Sequence, residues 1–449
     1  MRRLIRSGTP GTRLPSVRDL AGRHAASPVT IQRLIDRLEH EGLVEPHPGR
    51  GTFIAARPST EVGDWAWQTA LLGARPIPGE GMVGLAPDVV ADVISLSSGY
   101  PDPSLQCLSL LATAGARAAR RPGAWSRSPV EGVSELREWF AAEIGGGIRQ
   151  GDVVIIAGGQ AALSAAFRSL ASPGDAVVVE SPTYVGALDA ARLAGLRPAP
   201  VPSDDQGMRP DLLDATLRST GAHLVYLQPH AANPTGLTTT PERREQLLDV
   251  VRRNHSFIIE DDYAHDLTFD GTTPPSLLHD DPDGHVISVR SLTKSTAPAL
   301  RIAALVARGP ALRRLRNARL VDDFFVSAML QQTALDVVQS TGWARHLARL
   351  RGAIRNRMDV ALHAIAAQPE LRLTHRPTAG LVLWIALDDR LDDRKVADDA
   401  RSAGVAVTPG RLWFASEPPG TFVRLSVAAV EPPAIAEGIA ILGRVVQPS

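Results

Sequence analysis

The sequence predicts two unlike parts: a small N-terminal helix-turn-helix with a β-hairpin, and a large α/β domain built on a parallel sheet. Three observations support this division. Residues 1–57 carry ten arginines against five acidic residues and contain two closely spaced helix starts. Residues 58–92 are repeatedly broken by proline and glycine, which is typical of a connector. From residue 93 onward, apolar runs rich in β-branched residues alternate with helical stretches.

The composition fits a globular protein that folds without disulfides. The chain has 449 residues, 44% of them hydrophobic and 21% charged, which suits two or three domains with a large core. Its single cysteine, Cys107, excludes an intramolecular disulfide and favours a reducing cytoplasm. No apolar run approaches the roughly 18 residues of a membrane span. The N-terminus has basic residues but no apolar core behind them, so we do not interpret it as a signal peptide.

Two helix starts lie close together in residues 1–57. Ser16 is a good N-cap, and Asp19 three residues later completes a capping box. Ser27 is the N-cap of a second helix that has Pro28 in its first position. An apolar stripe at helical spacing follows, formed by Ile31, Leu34, Ile35 and Leu38. Two short helices with a tight turn between them predict a helix-turn-helix, with the second helix ending at Gly42.

A β-hairpin is predicted after the second helix, with Arg50 on its Gly-Arg-Gly turn. An arginine on a flexible turn suits a phosphate or a minor groove, although a solvated basic face without a partner stays open on charge alone. The series LPSVRDLA…SPVTIQRLIDRLEHEGLVEPHPGRGTF resembles the winged helix of the GntR family. The family has a full helix before this series, whereas only Arg2–Ser7 precedes it here, so either that helix is short or the chain begins upstream. The resemblance implies that double-stranded DNA contacts Arg18, Ser27, Thr30, Gln32, Arg33 and Arg50.

Lysine is rare in this chain, which makes its positions informative. Of 48 lysines and arginines, two are lysines, Lys294 and Lys395. A lysine amine deprotonates near neutral pH and attacks a carbonyl to form a Schiff base, whereas a guanidinium does not. Lys294 lies in Ser-Leu-Thr-Lys-Ser-Thr, seven residues before Arg301, a pattern that suggests an anchor for pyridoxal phosphate. A lysine in such a loop is more often a surface residue, so this assignment depends on the other motifs; we interpret Lys395 as a solvated helix charge.

Polar motifs follow the predicted strands of the second part. Ligand chemistry in parallel sheets lies at the carboxyl ends of the strands. The turn before Gly159 and Gln160 begins a helix whose free N–H groups suit a phosphate. Tyr184, after the next strand, is suited to stacking on a flat ring. The predicted strands are 153–157, 176–180, 223–228, 257–260, 285–289 and 303–306.

Three further polar residues suit the same chemistry. Asn233, in Asn-Pro-Thr-Gly, has an amide that could hold a phenolic oxygen. Asp261, or less favourably Asp262, could face a pyridine nitrogen and keep it protonated. Arg424, within an apolar strand, matches the planar shape of a substrate carboxylate. Each has an ordinary alternative: a common turn, a solvated acidic loop and a structural salt bridge.

The order GGQxxL…ESPTY…NPTG…EDDY…SLTKS(x)5R…R resembles that of fold type I aminotransferases. The resemblance implies an α/β aminotransferase domain over residues 93–449, with a small C-terminal subdomain from about 330. It implies pyridoxal 5'-phosphate on a Schiff base with Lys294, and a substrate carboxylate on Arg424. The implied cofactor contacts are Gly159, Gln160, Tyr184, Asn233, Asp261, Tyr263, Ser291, Thr293, Lys294 and Arg301.

Joined to the winged helix, this domain resembles the MocR regulators over nearly the whole chain. The resemblance implies a cytoplasmic, DNA-binding homodimer that senses an amino acid, an amine or pyridoxal phosphate through Lys294. Two alternatives stay open: a working aminotransferase with an accessory DNA-binding part, and a DNA-binding protein whose large domain is a dimerisation scaffold without cofactor. We predict no metal site.

Overall fold

The chain divides into two compact units, Met1–Pro76 and Ile77–Ser449, in a computed structural model. The structure describes residues 11–23, 26–40, 43–47, 50–55, 93–269 and 273–447, with isolated positions between 56 and 92. The segment Arg2–Ser7 and Gly42, both used in the sequence analysis, lie outside the described residues. The domain boundaries at residues 57 and 92 stay predictions.

The first unit contains the two predicted helices and the predicted hairpin. Helix α1 (Val17–Arg23) follows Ser16, whose Oγ accepts the Asp19 N–H at 3.2 Å while Asp19 Oδ2 accepts the Ser16 N–H at 3.3 Å. The predicted capping box is therefore confirmed. Helix α2 (Pro28–His40) begins after Ser27, as predicted. Strands β1 (Val44–His47) and β2 (Gly51–Ile54) pair antiparallel. The core of this unit consists of Leu14, Leu20, Ile31, Ile35, Leu38, Val44 and Ile54.

The second unit alternates strands with helices over most of its length. Its helices are α3 (Leu108–Ala118), α4 (Ser134–Ile144), α5 (Gly159–Leu170), α6 (Val185–Leu193), α7 (Pro210–Thr220), α8 (Pro241–Arg253), α9 (Gly309–Asp322), α10 (Ala328–Val338), α11 (Trp343–Ala366), α12 (Asp393–Ser402) and α13 (Pro432–Val446). Its strands are β3 (Ile94–Ser95), β4 (Val153–Ile156), β5 (Ala176–Ser181), β6 (Arg197–Asp204), β7 (Gly207–Met208), β8 (Leu224–Leu227), β9 (Phe257–Asp262), β10 (Val286–Ser291), β11 (Ala303–Val306), β12 (Arg372–Leu373), β13 (Val382–Ala386), β14 (Val405–Ala406), β15 (Thr408–Pro409) and β16 (Phe422–Ser426). No helix in the described part of the chain is long and apolar enough to cross a membrane.

The larger sheet has the order β4-β11-β10-β9-β8-β5-β6-β7. The five strands from β10 to β6 are parallel, as the sequence predicts. Strand β11 is antiparallel to both of its neighbours, which corrects the prediction of a wholly parallel sheet. The connection 292–302 contains no α-helix, whereas a parallel crossover usually contains one. Strand β7 is also antiparallel to its neighbour.

A second core surrounds the smaller sheet, whose order is β12-β13-β16-β15. Helices α11 and α13 pack together there, and β3 pairs with β14. Helix α10 instead contributes Ala334, Leu335, Val337 and Val338 to the larger core, where it packs against α3 and α4. Most of the second core comes from α11 onward, together with earlier residues such as Leu96 and Leu105. The subdomain boundary near residue 330 stays a prediction.

The polar motifs lie together at the carboxyl ends of the parallel strands of the larger sheet. Strands β4, β5, β8, β9 and β10 end immediately before or within the segments that carry the predicted site residues. Asp261 and Asp262 lie inside β9, which extends two residues beyond its predicted end. Because adjacent parallel strands end on the same side, segments distant in sequence meet at this edge.

Gly132 packs against the edge strand β4, and a substitution at this position tests that packing. It has a φ of +98°, and a Cβ there would lie 2.5 Å from Ile155 Cγ1 and 2.7 Å from Gln331 Oε1. We expect Gly132→Ala to lower the free energy of unfolding by about 1–2 kcal/mol for the left-handed backbone. We expect roughly a further 1–3 kcal/mol from the clash. Urea denaturation followed by tryptophan fluorescence measures both contributions together.

Gly123→Ala is the matched control, because Gly123 has a φ of +79° and its Cβ would meet nothing within 4 Å. It should show the backbone contribution alone. An equal decrease in the free energy of unfolding for the two variants would contradict the packing that we describe around β4.

Candidate functional site

A cavity of about 320 Å³ lies at the edge of the larger sheet and collects the predicted site residues of the second unit. Every residue predicted there to bind cofactor or substrate lines it: Gly159, Gln160, Tyr184, Asn233, Asp261, Tyr263, Ser291, Thr293, Lys294, Arg301 and Arg424. Further lining residues were not predicted as site residues: Met82, Gly99, Tyr100, Leu163, Gln228, Leu381 and Val382. The sequence therefore identified most of the polar lining residues of the cavity but missed Gln228 and the apolar lining residues.

Lys294 is an amine enclosed by the protein. Its Nζ lies 3.7 Å from the centroid of the Tyr100 ring. Burial lowers the pKa of Lys294 to about 7, assisted by the positive charges of Arg424 and Arg301 and opposed by Asp261. A large fraction of the molecules therefore carries a neutral amine near pH 7. A neutral amine is the form that attacks a carbonyl carbon.

A glycine turn and an arginine form the end of the cavity where α5 begins. Gly158 has a φ of +89°, and a Cβ there would lie 2.8 Å from Arg301 Cζ, so the arginine occupies the space that glycine leaves. Arg301 has a φ of +53° and donates from Nη2 to the Ala157 carbonyl at 2.9 Å. Helix α5 starts at Gly159 and brings its first N–H groups to the same place. A helix N-terminus beside a guanidinium suits a phosphate.

Hydroxyl and amide groups continue this polar lining. The Ser291 hydroxyl donates to Thr293 Oγ1 at 3.0 Å and accepts the Thr293 N–H at 3.2 Å. The Tyr184 hydroxyl donates to Gln160 Oε1 at 3.2 Å, and Gln160 Nε2 donates to the Gly186 carbonyl at 2.8 Å. A Cβ on Gly186 would lie 2.5 Å from Tyr184 Cζ, so this glycine lets the tyrosine ring lie close to α6.

Asp261, rather than Asp262, lines the cavity. Its Oδ2 accepts hydrogen bonds from Tyr226 Oη at 2.9 Å and Gln228 Nε2 at 2.8 Å. Burial raises the pKa of Asp261 to about 6, and these two hydrogen bonds oppose the rise. Asp262 Oδ2 instead lies 2.7 Å from His265 Nδ1. The geometry therefore favours Asp261 as the carboxylate available to a ligand.

Gln228 connects two of the predicted site residues. Its Nε2 donates to Asp261, while its Oε1 accepts the Asn233 N–H at 2.8 Å. This pairing fixes the orientation of the amide, because the flipped form would set acceptor against acceptor and donor against donor. Asn233 Oδ1 is buried without a hydrogen-bond partner among the described residues. Tyr263 Oη donates to the Ala231 carbonyl at 2.7 Å.

Arg424 is a buried cation without an ion pair. It is 1% exposed, and no described carboxylate lies within 4 Å of it. Its Nη1 donates to the Ser97 carbonyl at 2.9 Å, its Cζ lies 4.8 Å from the Trp413 ring centroid, and its Nε has no partner among the described residues. Burial lowers the pKa of Arg424 to about 10. Since buried charges are normally paired, this arrangement is suited to an anionic ligand.

The lining residues that were not predicted differ in how far the sequence could have indicated them. Gln228 directly follows strand β8, so a search for polar residues after strands would have found it. Tyr100 lies in a Gly-Tyr-Pro-Asp motif at the start of the second unit. Met82, Leu381 and Val382 are apolar residues far from the polar motifs, and no sequence signal brings them to this cavity.

The predicted DNA-contacting residues lie on the surface of the first unit, and they divide into two groups. Ser27 and Thr30 join their hydroxyls at 2.8 Å around the start of α2, and Gln32 Nε2 donates to Asp36 Oδ1 at 2.9 Å. Their polar groups are therefore already engaged. The other group is three exposed arginines without a described carboxylate within 4 Å: Arg18, Arg33 and Arg50.

Two family models match different parts of the chain. Residues 91–442 match "Aminotransferase class I and II", and residues 1–54 match "Bacterial regulatory proteins, gntR family". A structure similar to the chain is LysN, an α-aminoadipate aminotransferase from Thermus thermophilus, complexed with N-(5'-phosphopyridoxyl)-L-leucine. It is 31% identical with a TM-score of 0.75, and the match covers 82% of this chain and 96% of that one.

Curated relatives fall into enzymes and regulators. The 2-aminoadipate transaminase of Thermus thermophilus is 33% identical, over 78% of this chain and 89% of its own length. The HTH-type transcriptional regulator YdfD of Bacillus subtilis is 25% identical, over 97% of this chain and 92% of its own. The probable rhizopine catabolism regulatory protein MocR of Rhizobium meliloti is 28% identical, over 95% and 88%. The regulators match across both units.

The two lysines should differ sharply in their reaction with an electrophile. We expect trace acetylation of Lys294 by acetic anhydride to reach half its maximum near pH 7, because only the neutral amine reacts. Lys395 is the internal control, since its ion pair with Asp399 raises its pKa above the usual 10.5. The protein is first dialysed against hydroxylamine to free its amines, and mass spectrometry of the two peptides follows the reaction. Parallel profiles for both lysines would contradict the burial of Lys294.

Proposed function

Since the chain belongs to the aminotransferase class I and II family and carries a gntR-family segment, we propose that it is a pyridoxal phosphate-dependent transcriptional regulator of the MocR type. In this proposal the large unit senses an amino acid or amine, and the first unit binds DNA. The observation that carries the proposal is the presence, in one chain, of a complete lysine-containing cavity and a winged helix. In this proposal the cavity binds the small-molecule effector, and the winged helix binds DNA.

The cofactor is pyridoxal phosphate, and the cavity has a place for each part of it. Arg301 and the N-terminus of α5 are suited to its phosphate. Asn233, whose Oδ1 lacks a described partner, is suited to the ring hydroxyl. Asp261 would accept from the ring nitrogen, and Lys294 would hold the cofactor covalently. When bound, pyridoxal phosphate supplies a carbon that reacts with amines and a ring that accepts electrons.

The remaining predicted residues have supporting roles in the proposal. Tyr184 would stack on the ring, held through Gln160. Ser291 and Thr293 would donate to the phosphate together with Arg301. Arg424 would bind the carboxylate of an incoming amino acid, which supplies the counter-ion that it otherwise lacks among the described residues. The further contacts that we propose are Gly159 to the phosphate and Tyr263 to the ring hydroxyl.

Regulation requires that the ligand distinguish two states of the protein. A ligand shifts an equilibrium only by its difference in affinity for the two states. We propose that an amine or amino acid bound at Lys294 and Arg424 favours one state of the large unit, and that the state sets the affinity for DNA. A cytoplasmic homodimer suits this output, because two winged helices can bind the two half-sites of an operator.

An active aminotransferase is the second candidate. It is favoured by the lowered pKa of Lys294, because a neutral amine is suited to proton transfer as well as to Schiff-base formation. Sustained production of keto acid from an amino acid, over many turnovers, would support this candidate. A single half-reaction that stops after one equivalent would fit the regulator. A third candidate, a scaffold without cofactor, is addressed by the absorbance experiment below.

Lys294→Ala tests the proposed function directly. The wild-type protein with added pyridoxal phosphate should show an absorbance band that depends on Lys294 and changes when an amino acid is added. The affinity of the same sample for operator DNA should change by about 5- to 150-fold with the amino acid, which is the usual range for coupled sites. In Lys294→Ala both responses should be lost, because the covalent attachment is absent.

Lys395→Ala is the matched control, since Lys395 is exposed and paired with Asp399, and it should behave like the wild type. No band in either the wild type or Lys294→Ala would contradict the proposal and favour the scaffold. A band without any change in DNA affinity would favour the enzyme.

Arg33→Ala and Arg50→Ala test the DNA surface. Each should weaken binding roughly tenfold, because a bound phosphate or base loses its cationic partner. The slope of log affinity against log salt should fall by about 0.9 for each phosphate contact removed. Fluorescence anisotropy with labelled operator DNA measures both quantities. Arg394→Ala, an exposed arginine of the other unit, is the control and should change neither. Unchanged affinity in both Arg33→Ala and Arg50→Ala would exclude this surface of the first unit as the DNA-binding surface.

A further inference from the structure

Gln228 connects three segments at the carboxyl ends of the strands. It directly follows β8, is 2% exposed and lines the cavity. Its backbone N–H donates to Glu180 Oε2 in β5 at 2.8 Å. Its side chain donates to Asp261 in β9 at 2.8 Å and accepts the Asn233 N–H at 2.8 Å. The proposed function uses Asp261 and Asn233 but gives Gln228 no role, and the inference below rests on that function.

The type of side chain at position 228 matches its two partners. An amide carries a donor and an acceptor on one planar group, so it satisfies the Asp261 carboxylate and the Asn233 N–H together. A carboxylate in this place would set an acceptor against Asp261, and a lysine or arginine would offer Asn233 no acceptor. Packing alone would be satisfied by an apolar side chain of the same size. The two hydrogen bonds therefore account for the glutamine.

Gln228 also stabilises the charged form of Asp261. Asp261 Oδ2 accepts from Gln228 at 2.8 Å and from Tyr226 Oη at 2.9 Å. Burial raises the pKa of Asp261 to about 6, and the hydrogen bond from Gln228 opposes this rise more than the one from Tyr226 does. Hydrogen bonds to an ionised acceptor are stronger than those to a neutral one. Loss of the Gln228 amide would therefore favour the protonated carboxyl.

The second hydrogen bond of the amide holds the backbone at Asn233, whose side chain lines the same cavity. In the proposed function Asn233 meets the ring hydroxyl of the cofactor, and Asp261 meets the ring nitrogen. These two groups belong to one rigid ring, whereas Asn233 and Asp261 belong to separate segments of the chain. A single amide that holds both segments would keep the two contacts in register with the ring.

We propose that Gln228 is a positioning residue for the cofactor ring, holding Asp261 for the ring nitrogen and Asn233 for the ring hydroxyl. Gln228 acts through these two residues and takes no part in the chemistry itself. Both ring contacts should therefore weaken when Gln228 is replaced. Tyr226 provides the comparison, because its hydroxyl donates to Asp261 alone of these two residues.

Three forms of the cofactor measure the two contacts separately. They are pyridoxal 5'-phosphate, 1-deazapyridoxal 5'-phosphate, in which a C–H replaces the ring nitrogen, and 3-deoxypyridoxal 5'-phosphate, which lacks the ring hydroxyl. Each is titrated into full-length protein that dialysis against hydroxylamine has freed of cofactor, and tryptophan fluorescence gives the affinity. In Gln228→Met, which keeps the length of the side chain, the preference for pyridoxal phosphate should fall about tenfold over the deaza form and about fivefold over the deoxy form.

Tyr226→Phe is the matched variant, because it removes one hydrogen bond to Asp261 and keeps the Gln228 amide. Its preference over the deaza form should fall by less than in Gln228→Met, and its preference over the deoxy form should stay at the wild-type value. Unchanged preferences in Gln228→Met would overturn the proposal. An equal fall of both preferences in Tyr226→Phe would overturn the separate link from Gln228 to Asn233.

Trace acetylation of Lys294 tests the link to Asp261 in the protein without cofactor. Burial lowers the pKa of Lys294, Arg424 and Arg301 lower it further, and the Asp261 charge opposes them. Gln228→Met should leave Asp261 less ionised near pH 7, so the midpoint of Lys294 acetylation should move to lower pH by about half a unit. In an Asp261→Asn background, Gln228→Met should add no shift. The same shift in both backgrounds would contradict an effect through Asp261.

The Asp261→Asn background is needed because other titratable groups surround this carboxyl. Burial raises the pKa of each neighbouring tyrosine, so these side chains stay neutral near pH 7, and Asp262 has a lowered pKa and stays ionised. Glu180 titrates in the same range as Lys294, because burial raises its pKa to about 7. A shift that passes through Glu180 would persist in Asp261→Asn, whereas a shift through Asp261 would not. The tyrosines are Tyr184, Tyr226 and Tyr263.

The two measurements separate this inference from the function on which it rests. Binding of pyridoxal phosphate with unchanged preferences in Gln228→Met would overturn the positioning role and leave the cofactor at Lys294 in place. Failure of the wild type to bind pyridoxal phosphate would overturn the proposed function, and with it a role towards the ring. The acetylation profile would still decide whether Gln228 controls the charge of Asp261, because it needs no cofactor.

Discussion

The cavity concentrates positive charge that the protein alone does not neutralise. Lys294, Arg301 and Arg424 line one enclosed space, and Asp261 is the carboxylate among its described lining residues. Burial and the neighbouring arginines lower the pKa of Lys294 to about 7, and Arg424 has no carboxylate partner among the described residues. Such a site is completed by anions, and a phosphate and a carboxylate fit the two arginines. The larger sheet makes this concentration of charge possible, because the ends of its strands bring the charged segments together.

The sequence was sufficient for six of the eight strands of the larger sheet and for most of the polar residues that follow them. Lys294, Asp261 and Asn233 stand in motifs whose order fixes their place at the ends of strands, and the structure brings them into one cavity. The antiparallel direction of β11 was not predicted, although the connection 292–302 lacks the helix that parallel crossovers usually contain. These residues are placed by the local order of strand and loop, so they can be predicted from the sequence.

The apolar lining of the cavity and the hydrogen bonds behind Asp261 depend on long-range packing. Gln228 acts through two hydrogen bonds whose partners lie on different segments, and its type alone does not reveal them. Met82 reaches the cavity from a stretch that the sequence indicated only as a connector. In the first unit, the Ser27 and Thr30 hydroxyls hydrogen-bond to each other at the start of α2, and their contact with DNA stays a prediction. The exposed arginines remain free of such competition among the described residues.

The scarcity of lysine has a consequence for signal fidelity. Simple aldehydes react with the neutral amines of proteins to form Schiff bases. On this chain Lys395 is paired with Asp399 and stays protonated, so its side chain is a poor target. Lys294 is thus the lysine with a reactive amine, and the enclosing cavity selects what reaches it. Among the lysine side chains, a simple aldehyde therefore has one reactive target, and that target lies in the cavity.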